Sequence, residues 1–465
     1  MQGRWPRLVE VTLPDFGEPT TEPALTVAIY EARLERVRTL MAKRGLDALV
    51  VYGDREHSAN IAYVSGHDPR FEEALLVIAQ NGTPHLLLGN EGWGYAALAK
   101  GSFERVLYQP LSLMGQPRDQ LRPFAELLRE AGLNESMAIG TAGWKGFDIG
   151  HGRTDPDWFE VPAFLVDALK GIAGERGTVV NAIDLLMNPD DGLRAINEAD
   201  QLAMFEYAAT IASNSVRRVL FGAKPGMSEY QAVQLMKLNG LPWSVHLMLS
   251  GGNRARYGLP SPSMRKLKRG EPFTVAFGIA GALNCRAGFL VEDQSELPDQ
   301  IRDYVEKLVS PYFRAVVAWY ETVGLNVTGG EVFEAVHQYV GDRFFGVGLN
   351  PGHLIHLDEW VHSPIFKDSM IRLKAGMALQ LDIIPATGTS YFTSNVEDGI
   401  ALADKRLRDE LASRYPEAWS RIERRRNFMQ EALGIRLKSE VLPFSNIPAY
   451  LPPFILSPRR VMSMA

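Results

Sequence analysis

The chain has 465 residues, a formal net charge of −6, 46% hydrophobic residues and 22% charged ones. That length predicts two to four domains, and the composition is that of a globular protein, which excludes disorder, collagen, coiled coil and small disulfide scaffolds. The negative balance argues against nucleic acid as a partner, and the single cysteine, Cys285, excludes an intrachain disulfide and a multi-cysteine metal site and fits a reduced, cytoplasmic setting.

Met1 to Pro23 carries four acids and four prolines with no apolar core, unlike a signal peptide, and residues 1–25 read as an extended arm. No run approaches the ~18 apolar residues that span a membrane. From Ile29 to Met41, Leu34, Val37 and Leu40 fall at helical spacing and Gly45 stops the helix. Ala48–Gly53, Ile61–Val64, Ala74–Ile78 and His85–Leu88 are short apolar runs between turn signals and read as strands. Strands alternating with helices predict an α/β layer over 26–185, whose Gly-, Pro- and Asp-rich end, 150–185, is the candidate linker.

A long amphipathic helix is predicted from Arg194 to Leu220, then a second helix through Gln231–Leu238 with Ser228 as N-cap. Strands follow at Val245–Ser250, Phe273–Phe277 and Ala282–Val291, helices at Ile301–Tyr320 and Gly330–Phe344, and strand- and turn-like sequence over 345–405. The basic run Arg421–Arg426 is interrupted by Glu423 and reads as a solvated helix face. The apolar, proline-rich segment Leu442–Ile455 reads as packed onto the fold or a partner subunit.

Three stretches carry a resemblance. Leu193–Asp200 with Ala208-Ala209 and Pro225–Glu229, then Leu373–Asp382, then Asn395-Val396-Glu397-Asp398-Gly399 together resemble the pita-bread superfamily of Xaa-Pro aminopeptidases, prolidases, methionine aminopeptidases and creatinase. The N-terminal layer resembles the creatinase-like N-terminal domain, so the likeness runs from about Glu31 to Asp404. It implies an α/β (α+β) chain, with a creatinase-like domain over 26–185 and a pita-bread domain with a C-terminal tail over 186–465, working as a homodimer.

The resemblance also implies a two-metal centre built from two aspartates, a histidine and two glutamates, whose ions acidify a water and polarise a carbonyl. The first two aspartate positions fall here on Ala276 and, eleven residues on, Ala287, and neither can bind a metal. The histidine position falls on His353, 29 residues before Asp382 and 44 before Glu397, with Phe345 in a second register of the family's H-G-x-G-L. Asp382 and Glu397 occupy the remaining two. A metal pair is therefore not expected, while one divalent ion (Zn, Mn or Fe) on His353, Asp382 and Glu397 is chemically compatible. The histidine that the family places after S-G-x-N falls at Tyr257 or Gly258, which puts both the peptidase and the creatinase mechanisms in doubt.

His353 is one of three histidines in thirteen residues, with His356 and His362, beside Asp358 and Glu359, and imidazole next to carboxylate is acid–base chemistry near neutral pH. His353, Asp382, Glu397 and His356 are the candidate catalytic residues. Arg254, Arg256, Tyr257, Cys285 and His362 are candidates for substrate binding: the arginines suit a substrate carboxylate, and Cys285 shares a strand face with Ala287 and is a nucleophile if a base lowers its pKa. The polar turns at Tyr52–His57 and His67–Glu73 read as charged turns or as lining a partner's pocket. The leading expectation is a hydrolase of a C–N bond in a small carboxylate-bearing substrate without a two-metal centre. The alternatives are a single-metal Xaa-Pro peptidase and a non-catalytic relative that binds a small molecule or a partner.

Overall fold

The computed structural model describes residues 5–148 and 154–465. The first four residues of the expected arm and residues 150–153 of the candidate linker lie outside the described residues. Two compact units form: Leu25–Ala195, and Met1–Ala24 with Ile196–Ala465. The first strand, β1 (Arg7–Glu10), belongs to the larger unit.

The smaller unit runs α1 (Val27–Lys43), β2 (Ala48–Gly53), α2 (Ala59–Ser65), β3 (Ala74–Ala79), β4 (His85–Leu88), α3 (Asn90–Tyr95), β5 (Glu104–Leu107), α4 (Phe124–Glu130), β6 (Ala138–Ala142), α5 (Ala163–Ala173), β7 (Thr178–Asn181) and α6 (Asp184–Met187). Its strands form one mixed sheet in the order β5-β4-β3-β2-β6-β7. Val50, Tyr52, Leu75, Val77 and Ile139 from the sheet pack with Leu127 and Leu128 of α4 and Leu165 and Leu169 of α5. The 150–185 stretch thus supplies a core helix and an edge strand. Ile61–Val64, expected as a strand, is helical in α2, which ends on Gly66 in the left-handed region at φ 70°. A four-residue apolar run has no period, and here it is buried on almost all sides as a helix.

The larger unit contains α7 (Ala199–Gly222), α8 (Glu229–Gln234), β8 (Met248–Gly251), β9 (Pro272–Ile279), β10 (Ala282–Phe289), α9 (Ser310–Thr322), α10 (Gly329–Val340), β11 (His353–Leu354), β12 (Ala378–Asp382), β13 (Asn395–Leu402), α11 (Lys405–Arg414), α12 (Pro416–Glu431), β14 (Val441–Pro443) and β15 (Arg460–Ser463). α7 starts five residues later than expected, and regular α-helix begins at Ser310 rather than Ile301, after a π-helical turn over Val305–Val309. α8 is capped reciprocally: Ser228 Oγ accepts from Gln231 N and Gln231 Oε1 accepts from Ser228 N. The antiparallel sheet has the order β11-β12-β13-β10-β9-β8, with β14 against β13. β15 pairs with β1, which ties the arm to the end of the chain, and Leu442–Ile455 is buried within this unit.

The Gly376-Met377 turn explains why two distant stretches of the resemblance belong together. Gly376 O accepts from Asn197 N at 2.8 Å and from Asn197 Nδ2 at 3.0 Å. At φ +90°, a Cβ on Gly376 would stand 2.8 Å from Asn197 O.

Candidate active site

Register decides which side chains share a face. In the antiparallel sheet Met248 lies opposite Ala276, Ala276 opposite Cys285, Cys285 opposite Glu397, and Glu397 opposite Asp382. Directly opposed residues point to the same side. One row therefore crosses five strands, acidic on β12 and β13 and apolar on β8, β9 and β10. Ala287 lies on the same face as Cys285, two residues along. Met248, Ala276, Leu283 and Cys285 form a small apolar cluster there. The next acid, Asp398, points to the other face, where it pairs with Arg286 at 2.8 Å and accepts from Asn284 Nδ2 at 2.7 Å and Ala449 N at 2.9 Å.

His353 opens β11 opposite Gln380. Gly352 before it sits at φ +139°, and a Cβ there would stand 2.7 Å from Gln380 O, so only glycine delivers the chain into this corner. Leu354 N donates to His362 O at 2.7 Å and Val361 N to Leu354 O at 3.0 Å. That pairing folds the 354–362 loop back on itself, which returns Glu359 and Trp360 onto His353. The indole stacks on the imidazole at 4.1 Å, and Glu359 Oε1 lies 3.3 Å from Nε2. Asp382 Oδ2 is 4.0 Å from the same nitrogen.

One donor atom from each of His353, Glu359 and Glu397 lies within 4.8 Å of the other two. His353 Nε2 and Asp382 Oδ1 are buried without a hydrogen-bond partner among the described residues. Burial pushes the His353 imidazole down, but Glu359, the charge of Asp382 and the Leu354 carbonyl outweigh it and hold it above its ordinary value. Asp382 is pushed up to about 6 by burial, against the charge of His353 and with that of Glu359. Burial, with Asp382, Glu359 and Asp398 nearby, raises the Glu397 carboxyl well above the usual range.

The other sequence candidates are placed differently. His356 is buried edge-on to Phe205 of α7 at 5.1 Å, and His362 Nδ1 is 3.2 Å from Ser363 O. Arg254 is spent within the fold: its guanidinium donates to the buried Glu229 at 2.6 Å, to Ser263 Oγ at 2.9 Å and to Ser261 O at 2.7 Å. This corrects the expectation of a free guanidinium for a substrate carboxylate. Arg256 stacks on the exposed Tyr257 ring and donates to its hydroxyl. Cys285 is buried, and burial with the charge of Glu397 raises its thiol well above the ordinary range, which is opposite to what a nucleophile needs. Glu359 was absent from the sequence-derived set. The signal for it is the loop closure at Leu354 and His362, which no periodicity reveals.

Residues 33–145 match the family model described as Creatinase/Prolidase N-terminal domain. None of the curated proteins matches the chain in sequence. The solved structure of a prolidase from Pyrococcus horikoshii OT3 is similar over 80% of this chain and 95% of its own, at 15% identity and a TM-score of 0.60. An Xaa-Pro dipeptidase from Bacillus anthracis matches over 81% and 96%, at 17% identity and 0.61. A prolidase from Thermococcus sibiricus matches over 81% and 95%, at 17% identity and 0.62. The fold is therefore the expected pita-bread fold behind a creatinase-like N-terminal domain. Among the described residues no helix is long and apolar enough to cross a membrane.

Proposed function

We propose that this chain, built on the fold it shares with prolidases and Xaa-Pro dipeptidases, is a hydrolase that cleaves a C–N bond in a small substrate at the His353, Glu359, Asp382 and Glu397 cluster, without a two-metal centre. The observation that carries the reading is the convergence of three donor atoms within 4.8 Å, two from the buried sheet residues His353 and Glu397 and one from Glu359 in the loop after β11. Buried carboxylates are costly to keep, and so much unsatisfied polar chemistry in one place marks a site rather than a core. The carboxylate expected in the substrate rested on Arg254 and Arg256, and with Arg254 held by Glu229 and Arg256 stacked on Tyr257 it is left out of the proposal.

Two ions do not suit these residues, because Ala276 and Ala287 offer no donor and the Cys285 thiol is held protonated. One divalent ion does suit them: His353 Nε2, Glu359 and Glu397 would hold it beside the partnerless Asp382 Oδ1, a nitrogen and oxygen set that takes Zn, Mn or Fe. Bound there, such an ion supplies Lewis acidity toward a carbonyl.

The chain's own residues divide the proton work. His353 Nδ1 lies 3.2 Å from Leu354 O and donates to it, so Nε2 is the atom that faces Glu359. A bare lone pair and a carboxylate oxygen 3.3 Å apart repel, so Nε2 calls for a proton or a cation between them. With no ion on it, Nε2 is protonated and gives its proton to the leaving nitrogen, Glu359 orients the ring, and Asp382 takes the proton of the attacking water. One observation favours a non-catalytic relative instead: His353 is fully buried and covered by Trp360.

The test pairs metal content by mass spectrometry, on protein purified without chelators, with hydrolysis of Xaa-Pro dipeptides, small amides and amidines. His353→Ala is the control. The proposal expects turnover of at least one substrate class that the substitution abolishes. About one ion per chain, lost in the variant, assigns the single-metal form. No turnover in any class, with or without added Mn or Zn, sinks the hydrolase reading in favour of the non-catalytic one.

A further inference from the structure

The smaller unit carries a second cluster of unsatisfied polar groups, which the hydrolase reading does not use. A cleft of about 310 Å³ opens between the 66–73 segment and α3. His67 and Glu72 line it, both more than nine-tenths buried. Glu72 spends one oxygen on the fold: Oε2 accepts from Glu91 N and Gly92 N, each at 2.9 Å. Its other oxygen, Oε1, is buried with no hydrogen-bond partner among the described residues, and so is His67 Nδ1. A buried carboxylate oxygen without a donor, beside a ring nitrogen without a partner, is expensive to leave so.

The rest of the lining shows what would satisfy them. Phe71 and Tyr95 present aromatic surface, 59% and 46% exposed, where large apolar rings are normally covered. Arg70 is turned onto Asp68, and Glu73 takes the Tyr52 hydroxyl, so the lone cation of the lining is already paired. Formal charge therefore favours a cation, and open aromatic faces favour one with an organic body. Burial drives the His67 imidazole down to about 4, so it stands neutral and adds no opposing charge.

We infer that this cleft is a binding site for a small organic cation bearing N–H groups, a guanidinium or primary ammonium, which donates to Glu72 Oε1 and stacks against Phe71 and Tyr95. The N–H requirement comes from the orphaned Glu72 Oε1. A quaternary ammonium would satisfy the charge and the rings but leave that oxygen unpaired. The inference does not depend on the hydrolase reading, since it concerns residues of the smaller unit alone.

The experiment is calorimetric titration of the full chain with agmatine, which carries a guanidinium and a primary amine, with tetramethylammonium and glutarate as controls. Saturable agmatine binding below about 1 mM is expected, with tetramethylammonium about tenfold or more weaker and glutarate silent. Glu72→Gln should weaken agmatine by about tenfold or more, and Phe71→Ala by about two- to fivefold. Phe71 is mostly exposed, so its variant should fold normally and decides the matter if Glu72→Gln melts early. Absence of saturation at about 10 mM agmatine, equal affinity for tetramethylammonium, or folded variants that bind like the parent would overturn the proposal.

Discussion

The neighbouring acids Glu397 and Asp398 should fail in opposite ways when neutralised. Asp398 is fully enclosed and spends both oxygens on donors: Arg286 Nη2 at 3.0 and 2.8 Å, Asn284 Nδ2 at 2.7 Å and Ala449 N at 2.9 Å. Arg286 in turn donates Nε to Tyr450 O at 2.7 Å, which fastens β10 to the C-terminal segment. Asp398→Asn leaves that buried guanidinium without its counter-charge, and breaking a buried pair from one side costs about 3–5 kcal/mol. Spread over a unit of this size, that lowers the melting temperature by roughly 10 °C.

Glu397 is one residue away and on the other face. Its carboxyl is already driven toward the neutral form by burial and by Asp382 and Glu359. Glutamine is close to its neutral shape, so Glu397→Gln should change stability by less than about 1 kcal/mol while removing turnover and any bound metal. The assay is thermal unfolding of both variants in chelator, alongside activity. Equal losses of stability, or an active Glu397→Gln, would refute the division of labour read from the register.

Two further outcomes follow from the same groups of residues. Cys285 should resist iodoacetamide in the native chain at neutral pH and react once urea unfolds it, because burial keeps its thiol protonated; rapid native alkylation would contradict that environment. His67 sets a pH dependence: its folded value near 4 lies below the ordinary 6.5, so the folded state resists protonation. Its contribution is complete above about pH 6.5 and is lost as pH falls toward 4, by roughly 3 kcal/mol in all. His67→Gln should flatten the fall in melting temperature over that window relative to the parent, and an unchanged slope would show that another group controls it.

Much of the sheet was legible because its signals are local. Asp382 and Glu397 came from the resemblance, through the carboxylate six residues after Gly376 and the Glu397-Asp398 pair, while alternation alone puts Cys285 and Ala287 on one face. Glu359 stood beside the histidines in the sequence but was not singled out as a site residue, for a physical reason. It reaches His353 through a loop closed by backbone pairing of Leu354 with Val361 and His362, and backbone hydrogen bonds leave no pattern in side-chain type. Arg254 misled because its partner, Glu229, lies 25 residues upstream on another element. The Ile61–Val64 run misled because four apolar residues fit a strand and a buried helix equally well.

The row across β8, β9, β10, β13 and β12 is apolar at one end and acidic at the other. Ala276 and Ala287 stand where the resemblance would put two acids, and this half of the row is apolar, with Met248, Ala276, Leu283 and Cys285 packed together. Had the whole face lost its use, the same cheap change was open to Asp382 and Glu397, since an apolar side chain there would relieve two buried carboxyls. Instead Asp382 and Glu397 stand there as acids, and the loop after β11 adds Glu359 beside them and Trp360 as a cover on His353. A face that keeps charge at a cost to stability, brings in a further carboxylate and shields it from water is organised around a proton or a cation, which is the physical basis for placing the chemistry at His353.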